Sequence, residues 1–399
     1  MGGYVFFSDR PLEKYHKSDF LFLLSTILLL GLGIFTLYFA SGNTASKMFG
    51  DSMYFVKRQL AYVAFGIFLL LFFASVRMQL IKKMLPFIVF LTIMLCLLIH
   101  VPGIGIEKND AVRWIRMPMN FTFQPSELVK FAIVLYLANY FDKEASILNE
   151  DEKTLFPCVM MMLFQLLLVA FQKDLSTTAF IFVVCMVMFV ASGVRLRWFF
   201  LLLPLLLIAF GIFVLSEEYR IERVIGFVRP EEHADTINYQ PILSKRAVST
   251  GGFWGTGIGS GLNVSMRVPE VQSDYIFAAW SEAMGLFGVI VYFVLLGVFS
   301  WRGYRTAVIC KNRFAAYASF GFVSMILLQS LLNCAVVCGA LPSTGIPLPF
   351  FSLGGSSIVL SLAMCGFIIN ASRFDTENDI VDENNVVLIN SFSGVNVYE

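Results

Sequence analysis

Long apolar runs separated by short polar loops make up most of this chain. A membrane-spanning helix needs ~20 mostly apolar residues. Runs of that kind lie near 20–40, 55–76, 82–101, 125–141, 155–172, 175–192, 197–215, 274–300, 314–340 and 352–371. The pattern predicts an all-α integral membrane protein with about ten transmembrane helices. Leu, Phe and Val fill the runs, and polar residues gather at their ends. Between the seventh and eighth runs the pattern changes. Residues 216–273 form a large loop of mixed charge, which turns glycine-rich at 251–261 and leads through Pro269-Glu270 to Asp274, where apolar residues resume. The organisation expected is a cytoplasmic N-terminus (1–19), a ten-helix membrane domain (20–371) and an acidic cytoplasmic tail (372–399).

Composition agrees with the pattern. The chain is 58% hydrophobic and 14% charged, with mean hydropathy +0.76. Soluble chains are about half apolar and a quarter charged. A net charge of +1 offers no field for nucleic acid. Lys and Arg set orientation when they flank short loops. Arg77, Lys82 and Lys83 follow the second run, Arg195 and Arg197 the sixth, and Arg302, Arg305, Lys311 and Arg313 the eighth. All fall on one side if both termini are cytoplasmic, which places the 216–273 loop outside. Residues 1–19 are polar and contain no short apolar core with a cleavage site, so the first run is expected to stay as a helix. The cysteines mostly sit in apolar runs, which indicates no disulfide framework. Cys334 and Cys338 are one helical turn apart, without a further ligand nearby in sequence.

Ionisable residues in or beside a span are costly and draw attention as functional candidates. Lys57 and Arg58 open the second run. Glu127 and Lys130 open the fourth, three residues apart and so able to share a helical face, either as a structural ion pair or as part of a site. Asp174 stands at the break between the fifth and sixth runs, where it can cap a helix or serve a site. With Asp274, these positions fall on the outer side. The loop before the fourth run adds Arg113, Trp114 and Arg116, a combination suited to a lipid headgroup interface or to bidentate binding of a phosphate. Arg220 and Arg223 share a helical face beyond the seventh run and suit an anionic group or lipid phosphate. Gln240 and Ser244 follow.

The glycines of 251–261 match neither a dinucleotide fingerprint nor a Walker loop, since no strand precedes them and no Gly-Lys-Ser/Thr follows. They can form a flexible turn or expose backbone N–H groups to an anion. The Pro-rich segment 341–353 leads to Gly354, Gly355 and Ser356, which can serve close helix packing or a re-entrant loop lining a cavity. The three histidines lie far from these positions, which argues against a Ser-His-Asp triad.

Seven segments in order resemble one family: RWI at 113–115, FQPSELVK at 123–130, QKDLSTT at 172–178, YRIERV at 219–224, GGFWGTGIGSG at 251–261, VPEVQSDYIFA at 268–278 and LPSTGIPLPFFSLGGSS at 341–357. They are similar to the SEDS proteins, the FtsW/RodA-like peptidoglycan glycosyltransferases, with the YRIERV segment and the residues from Lys130 to Tyr140 leaning to the FtsW branch, IPLPFFS at 346–352 leaning to RodA, and the FtsW branch slightly favoured. The resemblance implies polymerisation of lipid II at the outer face of the bacterial cytoplasmic membrane, for division or elongation. It also implies a class B penicillin-binding protein transpeptidase and other division or elongation proteins as partners. It puts the key carboxylate at Asp274, the Gln-Pro-Ser-Glu motif at Gln124 to Glu127 with its downstream cation at Lys130, and a further acid at Asp174. The chain departs from the family pattern at Lys173, Ser176, Gln272-Ser273 and Asn263-Val264. Arg267 stands close to the last of these and can replace a missing lysine.

That reaction needs a base for a sugar hydroxyl and positive charge for a leaving diphosphate. Asp274 is the candidate base, with a helix N-cap as its other role. Arg58, Arg113, Lys130, Arg220 and Arg223 are candidate diphosphate partners, and Gln124, Glu127, Asp174, Gln240, Ser244, Glu270, Gly354, Gly355 and Ser356 complete the expected substrate site. A divalent cation, Mg²⁺ or Mn²⁺, can share the charge, although no metal motif exists to name its ligands. No organic cofactor is expected. Two other readings use the same features: a flippase for the lipid-linked precursor, and a non-catalytic scaffold that recruits a transpeptidase.

Overall fold

The structure, a computed structural model, describes residues 18–108, 111–118, 121–144, 155–194, 218–229, 238–258, 262 and 264–374. The run predicted at 197–215 and the acidic tail lie outside them. Eleven α-helices occur among the described residues: α1 Phe20–Phe49, α2 Tyr54–Ser75, α3 Met78–Leu98, α4 Pro125–Lys143, α5 Leu155–Phe171, α6 Leu175–Ala191, α7 Glu218–Val228, α8 Tyr239–Thr250, α9 Ile276–Ile309, α10 Arg313–Val337 and α11 Gly355–Ala371. Five of them (α1, α2, α3, α9 and α10) are long and apolar enough to cross a membrane, and α5, α6 and α11 are shorter apolar helices.

Burial sorts these helices. On α10 and α11 almost every face is covered, and α4 is buried from Pro125 to Ala138 with few breaks. A helix covered on all sides belongs at the centre of a bundle. α10 packs against α4, α6, α9 and α11, and α11 lies along α2. α2 and α3 instead turn Phe65, Phe68, Phe87 and Phe90 outward, as lipid-facing helices do. The aromatic core runs through the centre, with Phe131 stacked on Phe322 and Phe322 edge-on to Phe367.

Several boundaries differ from the sequence expectation. α1 runs on to Phe49, where Gly50 ends it in the left-handed region. α9 continues to Ile309, through residues that the charge of the following segment assigns to a loop. The segment before α4 carries a three-stranded antiparallel sheet, β1 Gly105–Lys108, β2 Ala111–Arg116 and β3 Thr122–Phe123, ordered β1-β2-β3. Its strands are too short to stand out against the apolar runs around them. Among the described residues, the large loop holds α7, α8 and one 3₁₀ turn, Ser265–Arg267.

The described part of the glycine-rich stretch, 251–258, is spliced into a break in α9. Gly285 has φ 62° inside that helix, which interrupts its hydrogen bonding. Leu286 and Phe287 then donate their N–H groups to the carbonyls of Gly252 and Phe253, while Thr256 and Gly257 donate to the carbonyls of Glu282 and Ala283. A Cβ at Gly285 would overlap Gly255 N and Phe253 O. Glycine is required there for both conformation and close approach.

Candidate functional site

Helix starts build the site. A cleft of about 470 Å³ opens where α2, α4, α6, α9 and α11 begin. The residues flanking the starts of α4, α6 and α11 (Gln124, Asp174 and Gly354) are their N-cap residues, and all three line the cleft. Each helix N-terminus presents unsatisfied N–H groups and the positive end of its dipole. Arg58 from the first turns of α2 and Arg113 from β2 add two guanidinium groups. Such an end of a helical bundle attracts an anion.

One wall is a hydrogen-bonded network around Asp174. Its Oδ1 accepts from Thr177 N, so it does cap α6. Its Oδ2 accepts from Gln124 Nε2 at 3.1 Å and from Ser126 Oγ at 3.5 Å. Arg113 stands 3.9 Å from the same carboxylate and donates to the Lys173 carbonyl. Lys173 has φ 58°, and its carbonyl is the group that Arg113 meets. The Gln124 N–H donates to Ser356 Oγ, which joins this wall to the start of α11. Gly355 stands against Tyr62, whose ring a Cβ there would overlap. The small residues of 354–357 therefore do both jobs foreseen for them: they permit close helix packing and they line the cavity.

Asp274 and Glu270 stand on the opposite side with Ser273, Thr344, Gly345 and Pro347. Asp274 is not the helix cap. That position belongs to Tyr275, whose own side chain makes no capping hydrogen bond. The Asp274 carbonyl accepts from Asn333 Nδ2 at 2.9 Å. The Gln272 carbonyl accepts from Leu353 N at 2.8 Å, which binds this wall to the Pro-rich segment.

Other expected site residues fall elsewhere. Lys130 does not line the cleft. It is 2% exposed, paired with Glu127 at 2.8 Å and donating to Gln329 Oε1 at 3.0 Å. Glu127 does reach the cleft from this buried pair. Gln240 donates to the Pro269 carbonyl outside the cleft, and Ser244 is buried against the Val337 carbonyl. The side chains of Arg220 and Arg223 lie outside the described residues, as does Asn263. Several neutral residues had no place in the expected set, among them Tyr62, which exchanges two hydrogen bonds with Thr122, Gln329 and Asn333. Their signal was present, because Gln329 and Asn333 are polar, four residues apart and inside an apolar run. Attention to ionisable groups alone passed over them.

A multi-pass membrane protein with a helix-capped cleft that brings two arginines together with four carboxylates at one end of its bundle is the class that this fold and site define. Within that class, the Cell cycle protein family model that joins FtsW, RodA and SpoVE matches residues 19–377. The chain belongs to this family and is FtsW-like. It is 33% identical to Stage V sporulation protein E of Bacillus subtilis (strain 168), over 90% of this chain and 98% of that protein. It is 32% identical to a probable peptidoglycan glycosyltransferase FtsW of Geobacter sp. (strain M18), over 91% of this chain and 98% of that one. Among solved structures, it matches a chain of a structure described as "Structural coordination of polymerization and crosslinking by a peptidoglycan synthase complex", with TM-score 0.73 and 23% identity over 89% of this chain and 98% of the other. The rod shape determining protein RodA of Thermus thermophilus matches with TM-score 0.66 and 21% identity, over 89% and 97% of the two chains.

Proposed function

We propose that this protein is a peptidoglycan glycosyltransferase that polymerises lipid II at the outer face of the bacterial cytoplasmic membrane. The observation that carries this reading is the meeting of three helix N-caps, Arg58 and Arg113 in one cleft with Asp274. The N-termini and guanidinium groups suit a diphosphate, and the carboxylate across the cleft suits a base. Asp274 takes the proton of the attacking sugar hydroxyl as the new glycosidic bond forms, and the diphosphate leaves with the electron pair of the bond that breaks. Arg58 and Arg113 hold the leaving diphosphate, Arg113 being oriented by Asp174. Gln124, Glu270 and Ser356 bind polar groups of the sugars. The relatives named as probable peptidoglycan glycosyltransferases support the substrate class. The structural likeness to a synthase complex that joins polymerisation to crosslinking supports a class B transpeptidase partner, in division or elongation.

Among the described residues, no group of three or more His, Cys, Asp or Glu side chains could hold a metal. Mg²⁺ needs only one or two carboxylates when substrate phosphates supply other ligands. A divalent cation carried in on the diphosphate, with Asp274 or Glu270 beside it, fits this cleft better than a resident metal. The sidedness of the charged loops supports cytoplasmic termini and an outward-facing cleft.

The test is polymerisation of labelled lipid II by the purified protein, with and without a co-purified transpeptidase. Glycan strands that disappear on Asp274→Asn support the assignment, and strands that persist remove Asp274 as the base. Lipid II scrambling across liposomes without polymerisation would replace the enzyme reading with a flippase. A protein inert in both assays that still retains its transpeptidase would be a scaffold.

A further inference from the structure

We infer that Asn333, which is neither ionisable nor exposed, is a positioning residue that sets the reach of Asp274 into the cleft. Asn333 lies on α10 and is 1% exposed. Its Nδ2 group spends both hydrogens on main-chain carbonyls of the two segments that make the Asp274 side of the cleft. One bond, at 2.9 Å, goes to Asp274 O. The other, also 2.9 Å, goes to Ile346 O in the Pro-rich segment. The two carbonyls belong to neighbouring segments that together form one wall of the site. Asp274 precedes α9, while Thr344, Gly345 and Pro347 line the cleft from the Pro-rich segment.

The geometry makes this amide a strut. Asp274 directly precedes Tyr275, the cap residue of α9, and its carbonyl is held from α10 by Asn333. Across the strut, a Cβ placed on Gly345 would lie 3.7 Å from Asp274 Oδ2. The carboxylate and the Pro-rich segment are near contact, so a change in their separation moves the carboxylate directly. One turn earlier on α10, Gln329 repeats the device. Its Nε2 donates to the Pro347 carbonyl at 2.8 Å, and its Oε1 accepts from Lys130 at 3.0 Å. Gln329 thus anchors the segment to α4, while Asn333 alone of the two reaches Asp274. The Asn333 Oδ1 atom is buried without a hydrogen-bond partner. A purely structural asparagine in a bundle core is expected to satisfy both ends of its amide. Leaving one end unpaired is the cost of aiming the other at two carbonyls.

Misplacing a catalytic group by about 1 Å can lower a rate ~10²-fold. A strut acts on the chemical step and not on substrate affinity. This inference rests on Asp274 acting as the base. The test is steady-state kinetics of lipid II polymerisation by the purified full-length protein carrying Asn333→Ser or Asn333→Leu, beside Asp274→Asn and Gln329→Leu. Ser keeps one donor and Leu keeps none. The expected result is a graded loss of kcat, about tenfold for Ser and about a hundredfold for Leu, with KM for lipid II within about twofold of the parent. Gln329→Leu, which spares the bond to Asp274, is expected to lose less kcat than Asn333→Leu. If the Leu protein does not fold, the Ser protein alone decides. An unchanged kcat in Asn333→Ser, or a loss expressed only in KM, overturns the strut. A fully active Asp274→Asn overturns the base instead, so the two failures are told apart.

Discussion

Asp274 and Lys130 are both charged residues at helix starts, and the fold uses them in opposite ways. Asp274 reaches the cleft, while Lys130 is buried against Glu127 and Gln329. Asp274→Asn keeps the shape of the side chain and removes its basicity. It is expected to lower the rate of polymerisation by about 10²–10⁴-fold while leaving the thermal unfolding midpoint close to that of the parent. Lys130→Met is expected to act on stability instead. It leaves the Glu127 carboxylate, 4% exposed, buried without its cation, at a cost of about 3–5 kcal/mol. Adding Glu127→Leu should recover part of that loss, because removing both charges of a buried pair also removes their desolvation penalty. A double-mutant cycle by denaturant unfolding measures the recovery. The carboxylates and guanidinium groups of the site were legible as costly residues at the ends of apolar runs. Asn333, Gln329 and Tyr62 were not, because a neutral residue inside a span acquires meaning only from the carbonyl it meets.

At the scale of elements, the break in α9 decides what the glycine-rich stretch does. Among its described residues, Thr256 and Gly257 spend their N–H groups on the helix, so these two amides are not offered to an anion. The carboxylate of Glu282, fully buried, accepts from the backbone N–H groups of Val264 and Ser265 at 2.9 and 2.7 Å, and so fastens the following 3₁₀ turn to the same helix. Gly285→Leu is expected to break the splice, since a side chain there is strained in φ and collides with Gly255 and Phe253. Hydrogen–deuterium exchange should then speed up at Thr256 and Gly257, whose N–H groups bond to α9 in the parent. Unchanged exchange would show that the splice does not hold the loop. The glycines were plain in the sequence. Their partner, a second glycine some thirty residues on, was invisible as a partner because the pairing is between backbones.

The whole molecule places its charged ends apart. Asp19 at the start of α1 pairs with Arg302 near the end of α9 at 2.7 Å and accepts nothing from the cleft. Lys82 and Asp142 meet by the start of α3 and the end of α4. The cleft lies where the alternate helix ends gather, in agreement with the sidedness read from Lys and Arg. Cys338 at the end of α10 is exposed, while Cys310 at the opposite end is buried, and the proposed orientation, with both termini cytoplasmic, turns Cys338 outward. A membrane-impermeant maleimide added to intact cells is expected to label Cys338, and Cys338→Ala should abolish that signal. Failure to label Cys338 without permeabilisation would reverse the orientation. Chelation of divalent cations is expected to slow polymerisation and to leave the unfolding midpoint unchanged, since the cation is assigned to the substrate.

Sequence alone determined the membrane class, most of the helices and the charged residues of the cleft. Hydrophobic runs must be long enough to cross a bilayer, and a charge beside one is too costly to be accidental. The tertiary structure decided which of those charges meet. Arg58, Arg113, Asp174 and Asp274 come from separate elements and converge only because helix starts gather at one end of the bundle. It also buried Lys130, spliced the glycines into α9 and brought the Asn333 amide under Asp274. Each of these depends on contacts between residues far apart in the chain, and the local pattern of apolar and polar positions does not encode such contacts.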